Sequence, residues 1–517
     1  MDYVRFKLTF KSNIVLCCCL FILYYLLFNT GLHGDDYSEI AGWRFHGLPS
    51  FLMPGGVALT ILGSHYCFWW AYPFLGYDHQ WVYDLVKVAA HILSLLCVYR
   101  FAIDYLPCDR AIMMSSLFVL YPLHDTTMYW YMTVPYVFFP AVMMYAHSLF
   151  RHKHLFPGFI LALFGAFGGY FSPPYMFGLT AIFIYERKFR EAVLFAFPGI
   201  IYIVYYFFIK YAFSGIEKRI NSSLTIADYI RQLLLQPLSF IDAAFGPSYW
   251  LKVYYSIGSI TLLSGLIVLV IVVLLLIRIP LFSKQPDVPK SLFIGLFITL
   301  VLSFAMFALT GLYHHSAFNL GNRTTVYGSL LIALLIAILP LNRKTVVVLV
   351  LIFIIPVFGL SDHWKSWNVH QKGIIENIHT NASLKALEPE STLLVTGNIY
   401  SRLGPFSHIE FFSMPWVVNS IFHDWVKSKD VVALAPYIEL DQGSLVDPKF
   451  GGRYPLGSKI YVYNSEANTV SPIALAAVPK LLADRPREIR HWVQLAKGTW
   501  TESSIVALSP RLVYLFQ

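Results

Sequence analysis

The sequence predicts a mainly α-helical membrane protein, a bundle of about 11 transmembrane spans followed by a C-terminal extracytoplasmic α/β domain. Three observations predict it. Of 517 residues, 57% are hydrophobic and only 13% charged, where soluble chains carry about 25%. Apolar stretches of about 20 residues, the length that crosses hydrocarbon, recur from Ile14 to about Leu360. Beyond that point charges of both signs return, mixed with short strand-like runs.

The spans are expected near 13–30, 81–103, 111–124, 131–150, 155–171, 174–186, 191–212, 253–278, 291–312, 324–341 and 344–360. Arg5, Lys7 and Lys11 precede the first, and no small-residue cleavage pattern follows it, so it reads as a retained anchor. Connections on one side carry Arg110, Arg151, Lys153, Arg187, Lys188, Arg190, Arg278, Lys284, Lys290, Arg343 and Lys344. The opposite short loops, 125–130 and 171–173, carry no Lys or Arg. That bias puts the N-terminus in the cytoplasm and everything after about residue 361 outside. The basic N-terminus and retained first span fit a bacterial inner membrane. The net charge of +9 reads as cytoplasmic loops; with no compact basic and aromatic patch, no nucleic-acid partner is expected.

The chain therefore divides into a membrane module, 1–360, with outer loops 31–80 and 213–252, and an extracytoplasmic domain, 361–517. Pro54-Gly55-Gly56 breaks the apolar stretch 51–75, which reads as interfacial or re-entrant helices. In the tail, strands are expected at Ser391–Thr396, Lys459–Tyr463 and Ser504–Leu508, with helices at Ile374–Leu387 and Ile473–Ala483. All six cysteines lie at or before Cys108, so the tail has no disulfide framework of its own.

The sharpest chemical feature is Gly34-Asp35-Asp36-Tyr37-Ser38-Glu39, just past the first span. Adjacent carboxylates held in a partly buried cavity must be paired, hydrogen-bonded, metal-bound or protonated. Such a carboxylate could take a proton from an acceptor hydroxyl or hold a divalent cation, Mg²⁺ or Mn²⁺; an acidic, solvated helix-capping loop reads the same residues equally well. Asp84, Lys87 and His91 share one helical face at the start of the second span. Intramembrane charges favour a wet cavity, although an internal Asp84–Lys87 pair that only aids packing fits too. Tyr121-Pro-Leu-His124-Asp125 closes the third span on the outer side. Arg323 opens a late helix, where unpaired N–H groups and a guanidinium suit a phosphate, and Lys210 is a second candidate for anion contact. Tyr313-His314-His315 could bind a metal, but adjacent histidines point to different helix faces. Gly165 and Gly169 have the spacing of close helix packing. There is no Walker A loop, dinucleotide glycine fingerprint, HExxH or GxSxG.

Together these features resemble the GT-C superfamily of polytopic glycosyltransferases, which use polyprenyl-phosphate sugars. The likeness rests on Asp35-Asp36 in the first outer loop, the interfacial segments after it, His91 in a leucine-rich span, the Pro-x-His segment ending in Asp125, and Asn322-Arg323. It covers most of residues 1–360 in architecture and only short motifs in sequence. Phe171-Ser-Pro-Pro-Tyr175 lacks the acid many relatives carry at that turn, and the tail carries no such signature. The resemblance implies an inverting displacement. Asp35 or Asp36 would be the catalytic base, the lipid phosphate would leave, and Arg323, with Lys210 or Lys87, would stabilise its charge. The acceptor would be a glycan, a lipid or a protein, and no metal is required. Rival readings are a transporter or flippase of lipid-linked saccharides, a polymerase or ligase of such saccharides, and a non-catalytic membrane scaffold.

Overall fold

Long apolar segments fold as helices because hydrocarbon leaves backbone N–H and C=O groups no partner outside their own segment. A computed structural model describes residues 20–120, 122–212, 225–278, 287–310, 315–426, 432–434, 438–447, 452–484 and 486–508. The protein is mainly helical, with a small sheet region near the C-terminus. Among the described residues, six helices are long and apolar enough to cross a membrane: Gln80–Ala102, Tyr131–Arg151, Phe189–Ala212, Lys290–Thr310, Leu320–Ala337 and Arg343–Thr380. A seventh follows if Ile226–Ile257 and Leu262–Ile277, bent by 113°, form one broken span. Residues 13–19 of the expected first span lie outside the described residues, and 20–27 are helical.

Three further apolar runs form shorter helices, Cys108–Val119, Leu155–Ala166 and Pro173–Tyr185. At 1.5 Å per residue each reaches only about 20 Å, against a hydrocarbon core of about 30 Å. Turn chemistry shortens them: Gly169 (φ 156°) and the Pro173-Pro174 start cut one apolar stretch into two helices. The expected loop 213–252 is largely helical where described. Thr225 and Asp228 form a reciprocal cap at the start of Ile226–Ala244, and Pro247 opens the next helix, Pro247–Ile257.

Basic connections gather at one end of the bundle. There Arg151 and Lys188 both bond Glu186 at 2.6 Å, Lys153 pairs with Glu191, and Arg110 donates to the carbonyls of Ala337 and Leu339. The other end carries the 29–36 turn, Asp125, Lys252 and the tail. Helix Ile355–Thr380 passes without a break through position 361, so the last span and the approach to the tail are one rigid rod.

The tail contains β1 (Ser391–Thr396), the hairpin of β2 (Tyr400–Leu403) and β3 (Phe406–Glu410), and β4 (Val432–Leu434). A three-stranded meander follows, β5 (Glu439–Asp441), β6 (Ser444–Val446) and β7 (Arg453–Pro455), then β8 (Lys459–Asn464) and β9 (Thr469–Pro472). The main sheet has the order β4-β1-β8-β9, with β1 parallel to both neighbours and β9 antiparallel to β8. The strand expected at Ser504–Leu508 is instead part of a helix, Trp500–Leu508. A short β-branched run does not decide between strand and helix. Helix Pro415–Val426 carries the tail onto helix Asp35–Leu52.

Glycines set the closest helix contact. A Cβ on Gly178 would lie 1.9 Å from Thr299 Oγ1 and 2.7 Å from the Gly295 carbonyl. The expected packing position Gly165 does face a neighbour, Met143, but that side chain can yield. Gly178→Leu is therefore expected to separate helices Pro173–Tyr185 and Lys290–Thr310 and to destabilise the protein by about 1–3 kcal/mol. Thermal unfolding in detergent, monitored by size exclusion, measures it; an unchanged midpoint would contradict this contact.

Candidate active site

The chain leaves the first helix through a turn that only glycine permits. Gly31 has φ 71°, and a Cβ there would sit 2.0 Å from Asn368 Oδ1. Asp84 ties this turn down by accepting from the backbone N–H of Asn29 (2.9 Å) and Gly31 (3.0 Å). Lys87 completes the knot. Its ammonium lies 2.8 Å from Asp84 and donates to Thr30 Oγ1 and to the carbonyls of Gly31 and Tyr129. Lys87 is fully buried, and its charge is matched by Asp84. Both residues thus aim the loop that carries the acidic pair.

Asp35 and Asp36 open helix Asp35–Leu52, where two carboxylates suit the unpaired N–H groups of a helix start. Their surroundings differ. Asp36 is 0% exposed and accepts from the His33 N–H (2.9 Å) and the Tyr72 hydroxyl (2.7 Å). Burial raises its pKa to about 7, against the opposing pull of those hydrogen bonds and of Lys87. Asp35 is half-buried and accepts from the Trp416 indole at 2.8 Å, a residue of the tail. One turn on, Glu39 is pushed up to about 8 by desolvation and by the Asp35 charge. His33, buried edge-on against Trp364, is held neutral, its pKa lowered to about 3 by burial and by Lys87.

Asp125 lies in a second, tighter cluster. Lys252 meets Oδ1 at 2.5 Å and Asn322 donates to the same oxygen at 2.6 Å. The Trp364 indole donates to Oδ2 at 2.8 Å, and His408 Nε2 lies 3.0 Å from it. Burial alone would raise this carboxyl; Lys252 and His408 reverse the effect and hold it below the ordinary range. With two partners on each oxygen, Asp125 joins four separate segments, helix Pro247–Ile257, the Leu320–Thr325 turn, helix Ile355–Thr380 and β3.

The remaining sequence candidates scatter around these two clusters. His91 bonds the Lys87 carbonyl one turn back, at 2.8 Å. His124 is spent on Thr127 and the Phe118 carbonyl, so it shapes the turn before Asp125. Arg323 is half-buried, next to the Asn322 that serves Asp125. Lys210 lies 5.0 Å over the Tyr206 ring at the end of its own helix. A narrow crevice is lined by His33 and Gly34 on one side and by Thr126, Leu320, His408 and Glu410 on the other. It borders both the acidic turn and the segment that leads into Arg323.

Tyr121, Tyr313 and His314 lie outside the described residues. His315 is buried among Phe240, Phe304 and Phe307 and bonds Thr324. The amides of Asn322 and Asn381 are engaged by Asp125 and Asn468. Among the described residues, no three His, Cys, Asp or Glu side chains stand as a ligand set for a metal. Asp36 already accepts a protein donor on each oxygen.

Sequence reasoning missed Lys252, His408, Trp364, Trp416 and Tyr72. A lone lysine in the aromatic run Tyr249–Tyr255 is a signal that could have found Lys252. His408 and Trp416 sit in the tail, where no motif marks them.

No family model matches the chain, and no curated protein does. Among solved structures, the archaeal oligosaccharyltransferase AglB from Archaeoglobus fulgidus, in complex with an inhibitory peptide and a dolichol-phosphate, overlays 82% of this chain at 11% identity and a TM-score of 0.34. The overlay covers 65% of that protein, so this chain spans less than two thirds of its length. A superposition this loose fixes neither family nor activity.

The Asp125 cluster makes a sharp energetic prediction. Asp125→Ala leaves the Lys252 ammonium buried without its counter-charge and is expected to cost about 3–5 kcal/mol. Pairing it with Lys252→Met should recover much of that loss, because no unpaired charge then remains. Thermal unfolding of the single and double variants measures the coupling; additive losses would show that the two residues do not act as a pair.

Proposed function

We propose that the protein is a membrane glycosyltransferase that moves a sugar from a polyprenyl-phosphate donor to an extracytoplasmic acceptor by inverting displacement. The observation that carries this reading is the asymmetry of the acidic pair. Asp36 is sealed inside the protein with both oxygens engaged, whereas Asp35, beside it, keeps partial exposure under Trp416. Two neighbouring carboxyls pushed to different roles by environment are a pattern of acid–base sites. In this mechanism Asp35 accepts the proton of the acceptor hydroxyl as its oxygen attacks the anomeric carbon. The bond from that carbon to the lipid phosphate oxygen breaks, and the phosphate departs with the bonding pair. The Asp36 charge makes Asp35 the better base. Arg323 stabilises the leaving phosphate from the segment across the crevice, with Lys210 as a second contact. Lys87 acts by holding the 29–31 turn. A divalent cation at Asp35 and Asp36 is not part of the proposal.

The charge pattern supports an arrangement of about eleven crossings, with the N-terminus cytoplasmic and the residue 361–517 domain outside. On this reading the protein sits in a bacterial inner membrane and faces the periplasm. The gathering of basic connections at one end of the bundle and of the acidic pair at the other supports the same orientation. A carrier of lipid-linked saccharides, the second reading, calls for ionisable groups near the bilayer midplane; the ionisable clusters here sit at helix ends.

Two outcomes are expected. Asp35→Asn should lower transfer by about 10²-fold or more, and Asp36→Asn by less. The readout is polyprenyl phosphate released from the cells' own lipid-linked sugars, followed by mass spectrometry in membranes containing each variant. Full activity in a well-inserted Asp35→Asn protein sinks the assignment. Activity of the unaltered protein should also fall as pH drops below about 7, where Asp36 gains its proton. The Tyr72 hydroxyl favours the ionised form, so Tyr72→Phe should move that acid limb to higher pH. A limb that stays in place would separate Asp36 from the pH dependence.

A further inference from the structure

A cavity of about 340 Å³ opens at the outer end of the bundle, between the start of helix Gln80–Ala102, helix Ile355–Thr380 and helix Pro415–Val426. That is the lower end of ligand-sized pockets, about 300–1,000 Å³. Tyr77, Trp81 and Trp425 supply aromatic surface, and the Tyr77 and Trp425 rings lie 4.4 Å apart. Two of the residues that line it each carry a buried polar atom with no protein partner, the Tyr37 hydroxyl and the Gln80 side-chain carbonyl. Tyr37 is 0% exposed. Buried polar groups in proteins are nearly always satisfied, so two orphans in one aromatic cavity point to a ligand that satisfies them.

The charges select the ligand's class. Asp84 is matched by Lys87 and spent on backbone N–H groups. Of the others, Asp78 and Glu376 outnumber Lys372, so an anion such as a phosphate is repelled. A quaternary ammonium would suit the rings but has no hydrogen bond to give Gln80 or take from Tyr37. A sugar ring meets each demand. Its hydroxyls donate to Gln80, Asp78 and Glu376 and accept from Tyr37, while its C–H face lies on Trp81 or Trp425.

We propose that this cavity binds one ring of a neutral glycan; on the function proposed above, that ring belongs to the acceptor. Trp81 is then a binding residue, where the alternative for an exposed Trp at a helix start is an anchor in the membrane interface.

The test uses the full chain in lipid nanodiscs, free of maltoside detergent whose headgroup is itself a sugar. Cellobiose, N,N′-diacetylchitobiose, mannobiose and galactobiose are titrated by saturation-transfer NMR and tryptophan fluorescence, beside choline and inorganic phosphate. At least one disaccharide is expected to bind at millimolar concentration. Trp81→Ala should weaken it by about fivefold. Tyr37→Phe, which removes an unsatisfied hydroxyl, should weaken binding without lowering the thermal midpoint. The readout is binding and not transfer, so that failure of the base assignment leaves this result standing. The proposal is overturned if none of the four disaccharides binds, if choline or phosphate binds in their place, or if Trp81→Ala and Tyr37→Phe both bind undiminished.

Discussion

One buried carboxylate holds together the end of the bundle that meets the tail. Asp125 has no contact with solvent and meets Lys252, Asn322, Trp364 and His408. These come from regions of the chain 127, 197, 239 and 283 residues away in sequence. A charge in such a place is tolerable only while its partners stay, because each oxygen would otherwise be dehydrated without recompense. The cluster therefore fixes where β3 of the tail meets the bundle. β3 continues into Phe411 and Phe412, and the following helix brings Trp416 to Asp35. The geometry of the acidic pair depends in this way on an ion cluster that does not touch it.

A second constraint works from the other side. The turn at 29–34 is pinned by Asp84 and Lys87 from helix Gln80–Ala102, and its glycines allow a backbone path that a side chain at Gly31 would block. Asp36 is thereby driven into a dry site and Asp35 left at its edge. Neighbours in sequence acquire different chemistry because one side chain follows the helix inward against Tyr72 and the other meets Trp416.

The sequence made the helical membrane class legible because apolar runs of spanning length leave no other backbone solution. It also showed β1 to the residue, and the face shared by Asp84 and Lys87. It did not show where helices stop. The short helix Leu155–Ala166 lies inside a longer apolar run, and its end depends on a local turn. Residues 225–252 looked like a loop because Asp228, Arg231, Gln232 and Pro237 dilute their hydropathy, yet a cap at Thr225 and an amphipathic pattern make helices. The cluster partners were illegible for a different reason. Lys252 and His408 gain meaning only from Asp125, and nothing in local sequence records a contact across hundreds of residues.

The same logic separates charges that hold the fold from charges left for chemistry. Lys87, an attractive cation on the helical wheel, has its donors taken by Thr30, Gly31 and Tyr129 beside Asp84, and His124 is used within its own turn. A group so fully engaged can tune a neighbour's field but must break native bonds to reach a substrate. The cavity walled by Tyr37, Gln80 and Trp81 stands at the opposite extreme, polar surface that the protein encloses without fully satisfying. Since folding selects against such arrangements, the presence of this one next to the acidic turn is the strongest physical reason to look for a ligand there rather than among the tightly paired charges.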